Sequence, residues 1–196
     1  GCAHPGLAYA AVSDRAEPLG PLPAIHGSAR VAVPGGARPL KDLRPGDAVL
    51  CDADAPQPLV AAPAHPVPAR GALRPVRLRA PWFGLQRDVI VAAGLGVVLG
   101  GADLEYMVGA EAALGVAGEL VDGVRAVFEA GSPFWEPYHV VLGAHAPIRL
   151  EGMQVESLHI GRLRRAPDRL RASLLAGPRG NRLPEHGRNA FPRLLP

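Results

Sequence analysis

Short runs of alternating apolar and polar residues, separated by glycine and proline, dominate the pattern of this chain. Between Arg30 and Val33 the alternation has a period of two, which places successive side chains on opposite faces of a strand. Pro34-Gly35-Gly36 supplies the turn after that strand, and a second turn at residues 44–47 precedes the apolar run of residues 48–51. Turn signals recur about every ten residues, which is typical of an all-β domain. Further strands are predicted over residues 57–61, 73–79, 89–91, 97–99, 124–129, 138–142, 148–150 and 155–160.

Two segments favour a helix instead. Residues 103–116 contain good helix formers, although Gly109 and Gly115 interrupt them. Residues 167–175 begin with Pro167 and Asp168 and are followed by Gly177, which is the arrangement that starts and ends a short helix. We therefore predict an all-β domain with a short C-terminal helix and a second helical segment over residues 103–116.

The composition agrees with a folded core and many turns. Glycine and proline account for 24 and 22 of the 196 residues, so they interrupt most candidate helices longer than about a dozen residues. A hydrophobic fraction of 48% with 20% charged residues excludes a disordered chain, a collagen and a coiled coil. The only cysteines are Cys2 and Cys51, which excludes a disulfide framework and a cysteine-rich zinc site.

Charge is distributed unevenly and indicates three segments. Residues 1–159 carry 12 Lys or Arg and 16 Asp or Glu, a net charge of −4, whereas residues 160–196 carry 9 Arg and 2 acids, a net charge of +7. We predict a proline-containing linker over residues 1–23, a domain over residues 24–160 and an arginine-rich extension over residues 161–196. The preferred interpretation of the extension is a solvated tail; a docking arm for the acidic body and a contact for an acidic partner are the alternatives.

Several classes of function find no signal in the residues. Arginine supplies 20 of the 21 basic residues and accompanies abundant Ala, Gly and Pro, so we do not predict a nucleic-acid surface. No run of about 18 uncharged apolar residues is present, so no membrane span is predicted. His139 and His145 lie six positions apart, so they would share one face of an extended strand if the intervening turn kept phase, but no cysteine or third ligand lies nearby. We predict neither a metal site nor a cofactor.

Five segments in this order resemble one known family. Their sequences are GGARPLKDLRPGDAVL at residues 35–50, RPVRLR at 74–79, RDVIV at 87–91, YHVVLGAH at 138–145 and EGMQVESL at 151–158. Together they resemble the bacterial branch of the Hedgehog/intein (Hint) domain family, over about residues 24–159. The resemblance implies an all-β, horseshoe-like fold of two pseudo-symmetric halves whose usual activity is self-processing.

The resemblance also implies which residues carry that activity. In active relatives a Cys, Ser or Thr at the first position attacks the preceding carbonyl, and a histidine near the middle of the domain protonates the amide nitrogen. Ala24 stands at the nucleophile position and Leu95 at the histidine position, while Glu156-Ser157 stands where splicing relatives have His-Asn. His139 and His145 are retained at family positions.

These departures predict a Hint-type domain without autoproteolytic activity, kept as a folded module of a larger protein. Its partners would then be the flanking segments of its own polypeptide, and relatives of this kind occur in exported or surface-associated proteins. Two alternatives stay open. Ser28, which follows Gly27 and lies near His26, is a candidate nucleophile for slow self-cleavage with His139 or His145 as acid or base. The second alternative is a binding module that uses the basic extension.

Overall fold

The computed structural model describes residues 23–51, 55–100, 112–176 and 183–187. Within these ranges the chain forms sixteen short strands and one α-helix, joined by turns and short 3₁₀ segments. The strands are β1 (Ile25–His26), β2 (Arg30–Val33), β3 (Gly36–Pro39), β4 (Ala48–Leu50), β5 (Pro56–Ala61), β6 (Val67–Pro68), β7 (Pro75–Leu78), β8 (Val89–Ala92), β9 (Gly96–Gly100), β10 (Ala112–Val116), β11 (Ala126–Phe128), β12 (Phe134–Trp135), β13 (Pro137–Tyr138), β14 (Val141–Leu142), β15 (Pro147–Leu150) and β16 (Met153–Glu156), and the helix is α1 (Pro167–Arg171).

Two larger antiparallel sheets organise the described residues. One has five strands in the order β11-β7-β8-β1-β13, and the other has six in the order β10-β9-β16-β15-β2-β3. A three-stranded sheet, β14-β5-β4, and the pair β12-β6 complete the set. The order mixes strands from distant parts of the sequence, so the sheets depend on contacts that no single segment specifies.

The hairpin of β2 and β3 shows how the alternating pattern produces this fold. Val31 and Val33 are buried while Arg30 is exposed, so β2 presents one apolar face to the core. Gly35 has a φ of +86°, which glycine adopts without strain, and the turn sets the register Val33↔Gly36. The predicted strand and turn are confirmed here.

A single large apolar cluster joins the two main sheets. Its members include Val31 from β2, Val76 from β7, Val91 from β8 and Leu150 from β15, and each of them is fully buried. A buried side chain of this size contributes about 1.5–3 kcal/mol of transfer free energy relative to an exposed one. Burial of apolar side chains between the two main sheets is therefore the main source of stability of the fold.

Part of the helix prediction over residues 103–116 is wrong. Residues 112–116 form β10, which pairs with β9 from Ala112↔Gly100 to Val116↔Gly96. Gly115 suits this strand, because a Cβ at this position would lie only 2.6 Å from Leu99 Cδ1. Pairing with β9 outweighs the weak helical preference of this segment. Residues 103–111 of the same prediction lie outside the described residues.

Two predicted strands differ from the apolar pattern: one is interrupted and the other ends early. The strand over residues 138–142 is interrupted, because β13 ends at Tyr138 and β14 begins at Val141, which leaves His139 and Val140 between them. The strand over residues 155–160 ends at Glu156. In both segments the strand pairing stops next to a buried polar side chain, His139 in the first and Ser157 in the second.

The described part of the basic extension packs on the body instead of lying in solvent. Leu163, Leu175 and Leu183 are buried in a second apolar cluster that also contains Val141 and Leu158. The interpretation of this extension as a solvated tail is wrong for these residues, since burial of apolar side chains stabilises the docked arrangement. The predicted C-terminal helix is confirmed as α1, which begins at Pro167 as predicted and ends at Arg171, before the predicted end at Leu175. No helix within the described ranges is long and apolar enough to span a membrane. The predicted linker, residues 1–23, lies outside the described residues except for Pro23.

Candidate functional site

The peptide group between Pro23 and Ala24 lies immediately before β1, which is flanked by β8 and β13 in the five-stranded sheet. Ala24 is 1% exposed, and its carbonyl accepts a hydrogen bond from the backbone N–H of Ala92 at 2.8 Å. The next residue, Ile25, pairs with Val91 on one side and with Tyr138 on the other. The sheet therefore fixes the Ala24 carbonyl and Ile25, and the Pro23–Ala24 peptide group enters the sheet immediately before this paired segment.

His139 contacts the same peptide group from the other side. Its Nδ1 lies 3.0 Å from the carbonyl oxygen of Pro23, so Nδ1 carries the proton and donates it to this carbonyl. The backbone N–H of His139 donates to the carbonyl of Pro63 at 3.0 Å, and its ring stacks on His65 with centroids 6.4 Å apart. His139 lies in the break between β13 and β14. Its backbone N–H therefore bonds to Pro63 instead of to a neighbouring strand of a continuous ladder.

Burial controls the charge of His139. The residue is 4% exposed, and the loss of hydration lowers its pKa to about 4; the hydrogen bond to Pro23 opposes this change and His65 adds to it. At neutral pH the ring is therefore uncharged and acts as a hydrogen-bond donor to the carbonyl before Ala24. It polarises that carbonyl without supplying a cation.

Leu95 connects to this site through Ala92. Its backbone N–H donates to the carbonyl of Ala92 at 3.0 Å, and its own carbonyl accepts from Ala117 at 2.9 Å. The Leu95 side chain is fully buried in the large apolar cluster. Ala92 thus bonds both to Ala24 and to Leu95, and neither of these two side chains carries a group that can accept or donate a proton.

Glu156 and Ser157 lie at the far end of the domain sequence but return to this region. Glu156 Oε1 accepts a hydrogen bond from the backbone N–H of Gly96, the residue after Leu95, at 2.7 Å. Ser157 Oγ accepts from the backbone N–H of Ala146 at 3.2 Å. Both side chains are buried and bonded to backbone amides.

His145 does not join His139. Its Nε2 lies 3.2 Å from the carbonyl of Ser157, and its ring lies 5.0 Å from that of His159 and 6.0 Å from that of His186, measured between centroids. A common face for His139 and His145 required the turn between them to keep the phase of an extended strand. The structure has β13 ending at Tyr138 and β14 ending at Leu142, and the two rings contact different backbone segments.

Ser28 has a histidine partner, and the partner is His26. The Ser28 hydroxyl lies 2.8 Å from His26 Nδ1, and the backbone N–H of Ser28 donates to the same nitrogen at 3.3 Å. The backbone N–H can only donate, so Nδ1 is the acceptor and the hydroxyl also donates to it. Gly27 precedes Ser28, and its carbonyl accepts from the backbone N–H of Lys41 at 2.9 Å.

Sequence reasoning missed several of these residues. The bond between His26 and Ser28 was not predicted, although their spacing of two is a signal for a local hydrogen bond. His65, Pro63 and His186 had no local signal, since each acts through a partner far away in the sequence. Among the described residues, no group of three or more His, Cys, Asp or Glu side chains is arranged to hold a metal ion.

Comparison with known proteins identifies the family. Residues 23–162, more than two thirds of the chain, match the family model described as Hint domain. This chain belongs to the Hint domain family. The family model begins at Pro23, the residue whose carbonyl His139 holds, and the resemblance inferred from the sequence motifs is confirmed.

Two solved intein structures are similar to this chain at low sequence identity. A crystal structure of the MchDnaB-1 intein is 14% identical to this Hint chain, covers 68% of it and 99% of the intein, and has a TM-score of 0.44. A second crystal structure of that intein is 13% identical, covers 69% of this chain and 99% of the intein, and also has a TM-score of 0.44. None of the curated proteins compared with the chain matches it.

Proposed function

We propose that this Hint domain keeps the self-processing scaffold but has no autoproteolytic activity at the peptide bond between Pro23 and Ala24. The observation that carries the proposal is the hydrogen bond from His139 Nδ1 to the Pro23 carbonyl, next to a buried methyl group at residue 24. The carbonyl that an active relative would attack is held in place, and the attacking atom is absent. The domain is then kept as a folded module, and its partners are the flanking segments of its own polypeptide.

The chemistry that is missing has two parts. An acyl shift begins when an oxygen or sulfur lone pair attacks the carbonyl carbon, and a methyl group has no lone pair. The leaving amide nitrogen must also be protonated, and a general acid typically contributes about 10²–10⁴-fold to such a step. Leu95 offers no acid, and His139, whose pKa lies at about 4, is a neutral donor to the carbonyl oxygen.

The far end of the domain supports the same proposal. Splicing requires an asparagine side chain that cyclises onto its own carbonyl, and residues 156–157 are Glu156-Ser157. Glu156 is bonded to the Gly96 amide and Ser157 to the Ala146 amide. Both side chains therefore have structural partners in place of a role in cyclisation.

Restoring the two missing groups tests the proposal. The full chain, extended upstream of Gly1, is incubated with dithiothreitol as the unchanged protein, as Ala24→Cys and as Ala24→Cys/Leu95→His, and intact masses are measured. We expect no cleavage of the unchanged chain, slow cleavage after Pro23 in the single variant and at least about 10²-fold faster cleavage in the double variant. Ala24→Cys/Leu95→Gln is the matched control for the buried polar group.

Two results would contradict the proposal. A fragment ending at Pro23 from the unchanged chain would show that activity does not need a nucleophile at residue 24. A double variant that folds but does not cleave would show that the scaffold around Pro23 no longer supports the reaction.

The geometry at Ser28 supports a second candidate, slow self-cleavage between Gly27 and Ser28. In this step Ser28 Oγ attacks the Gly27 carbonyl carbon while its proton passes to His26 Nδ1, which then delivers the proton to the Ser28 nitrogen as the amide bond breaks. The resulting ester is cleaved by water or by added hydroxylamine. One imidazole within 2.8 Å of the oxygen and 3.3 Å of the nitrogen can serve both transfers, and Lys41 N–H faces the developing oxyanion.

Hydroxylamine distinguishes this candidate from an inactive domain. Self-cleavage predicts a hydroxamate product ending at Gly27 that disappears in Ser28→Ala and is slowed in His26→Phe. An unchanged mass after prolonged incubation would eliminate the candidate.

A binding role of the basic extension has weaker support. Arg164 and Arg165 are paired with Glu185, and Arg171 is paired with Asp168. These pairs are at the surface and hold part of the positive charge within the extension itself.

A further inference from the structure

Residues 183–187, which we call the strap, are fastened to the body at several points. Leu183 is buried in the second apolar cluster, and Glu185 forms ion pairs with Arg164 and Arg165 on the preceding turn. The carbonyl of Gly187 lies 2.8 Å from His159 Nε2, which donates to it. His186 lies between these attachments and is 5% exposed.

His186 makes three hydrogen bonds that hold the strap against two other segments. Its backbone N–H donates to the carbonyl of Gly161 at 3.0 Å. Its Nδ1 accepts from the backbone N–H of Ile160 at 3.1 Å, and its Nε2 donates to the carbonyl of Leu142 at 3.0 Å. An N–H can only donate and a carbonyl can only accept, so these partners require the neutral ring with its proton on Nε2.

His186 differs in this respect from the two imidazoles beside it. His145 and His159 each direct Nε2 at a carbonyl, and that hydrogen bond survives protonation of the ring. Protonation of His186 instead places a hydrogen on Nδ1, opposite the hydrogen of the Ile160 amide. Protonation of His186 therefore breaks its hydrogen bond with the Ile160 amide.

The surroundings of His186 do not compensate for a positive charge. The rings of His159 and His145 lie 5.6 Å and 6.0 Å away between centroids, and an imidazole cannot supply a negative charge. The strand carrying Leu142 contributes no titratable side chain, and Glu156 before Ser157 is bonded to the Gly96 amide.

The remaining charged groups belong to the strap and the turn beneath it. Arg164 and Arg165 pair with Glu185, the residue before His186, so positive charge lies beside this part of the strap. The nearest carboxylate in sequence, Glu185, is already shared by Arg164 and Arg165, which lower its pKa and keep it ionised in mildly acidic solution.

We propose that His186 is an acid-sensitive latch, whose protonation releases the strap from the domain. Burial lowers the pKa of His186, and His159 lowers it further, so the docked state prefers the neutral ring. The released strap binds the proton more tightly than the docked strap does. Docking is therefore complete above the ordinary histidine pKa of 6.5 and weakens as the pH falls from there toward the lowered value.

Release has a defined structural consequence. Leu183 of the strap packs in the same apolar cluster as Val141, Leu158 and Ile160. Leu183 and Pro63 also line one cavity of about 620 Å³. Pro63 is the residue whose carbonyl accepts the backbone N–H of His139. Acid thus exposes an apolar face that reaches the residue holding His139 in place.

Amide hydrogen exchange of the full chain, followed by NMR between pH 7.5 and pH 5, tests the latch. The Ile160 and His186 amides report on the strap, and the Ala92 amide, bonded to Ala24, reports on the body. After correction for intrinsic exchange, we expect strap opening to increase by up to about 30-fold over this range. The Ala92 amide measures opening of the whole domain, which His139 also makes pH-dependent, so the strap amides should exchange faster than Ala92 at every pH. The midpoint should coincide with titration of the His186 ring.

Two variants separate His186 from its neighbours. His186→Gln keeps a donor and an acceptor but does not titrate, so the pH dependence of opening should disappear. His159→Gln is the matched control and should retain it. The proposal is overturned if the unchanged chain shows His186 titrating with no change at Ile160, or if His186→Gln keeps the full pH dependence; the first criterion decides even if His186→Gln fails to dock.

Discussion

His139 makes the stability of the whole domain depend on pH, because its ring is buried in the neutral form. The ring donates to the Pro23 carbonyl and has a pKa of about 4, compared with an ordinary value of 6.5. Between these two values the unfolded chain binds a proton that the folded chain does not. The contribution of the neutral ring is fully present above about pH 6.5 and is lost as the pH falls toward 4.

The size of the effect follows from the difference between the two pKa values. Each pKa unit corresponds to about 1.4 kcal/mol, so the difference sets a limit of about 3 kcal/mol. Between pH 7 and pH 4.5, which covers most of the titration, the free energy of unfolding should fall by about 2 kcal/mol through His139 alone. This is a large part of the stability of an ordinary domain.

The variant His139→Asn isolates this contribution. An asparagine amide N–H can take the place of Nδ1–H toward the Pro23 carbonyl, and it does not titrate in this range. Urea unfolding of both proteins, followed by tryptophan fluorescence at pH 7 and pH 4.5, gives the two pH dependences. The unchanged chain should lose about 2 kcal/mol more than the variant, and the titration of His186 cancels because both proteins contain it. Equal losses in the two proteins would refute the assignment to His139.

Two further predictions concern the packing beside the site. Leu95→Ala removes a fully buried side chain from the large apolar cluster and should lower the free energy of unfolding by about 2–5 kcal/mol in urea titrations; a loss below about 1 kcal/mol would mean that Leu95 is not tightly packed. Gly96→Ala places a Cβ 2.6 Å from Glu156 Oε1, so the carboxylate must give up its bond to the Gly96 amide, at a cost of about 1–3 kcal/mol in thermal unfolding. Gly143→Ala, where the nearest atom lies 4.0 Å away, is the control and should change stability by less than about 0.5 kcal/mol.

Local features of the sequence were enough to predict much of the fold. The period-two alternation at Arg30–Val33 and the turn after it produce a hairpin because both signals act within ten residues. The same holds for α1, whose proline and acidic residue occupy the first turn. Ordered motifs also indicated the family and assigned Ala24 and Leu95 to their positions in it.

Local features led to wrong predictions where contacts with residues far away in the sequence determine the structure. The charge pattern of residues 161–196 favoured a solvated tail because a net charge averages over the segment and ignores its few leucines. Leu163 and Leu183 are nonetheless buried against Val141 and Leu158. The helix prediction failed at residues 112–116 for a similar reason, since β9 supplies hydrogen-bond partners that weak helix formers cannot outweigh.

The chemical identity of the site residues was therefore determined by the sequence alone: a methyl group at Ala24, an isobutyl group at Leu95 and an imidazole at His139. Their arrangement was decided only by the tertiary structure. The bond from His139 to Pro23 joins residues 116 positions apart, and His186 meets Leu142 across 44 positions. No local pattern encodes such pairs, because they form only when packed sheets bury both partners and exclude the water that would otherwise satisfy them.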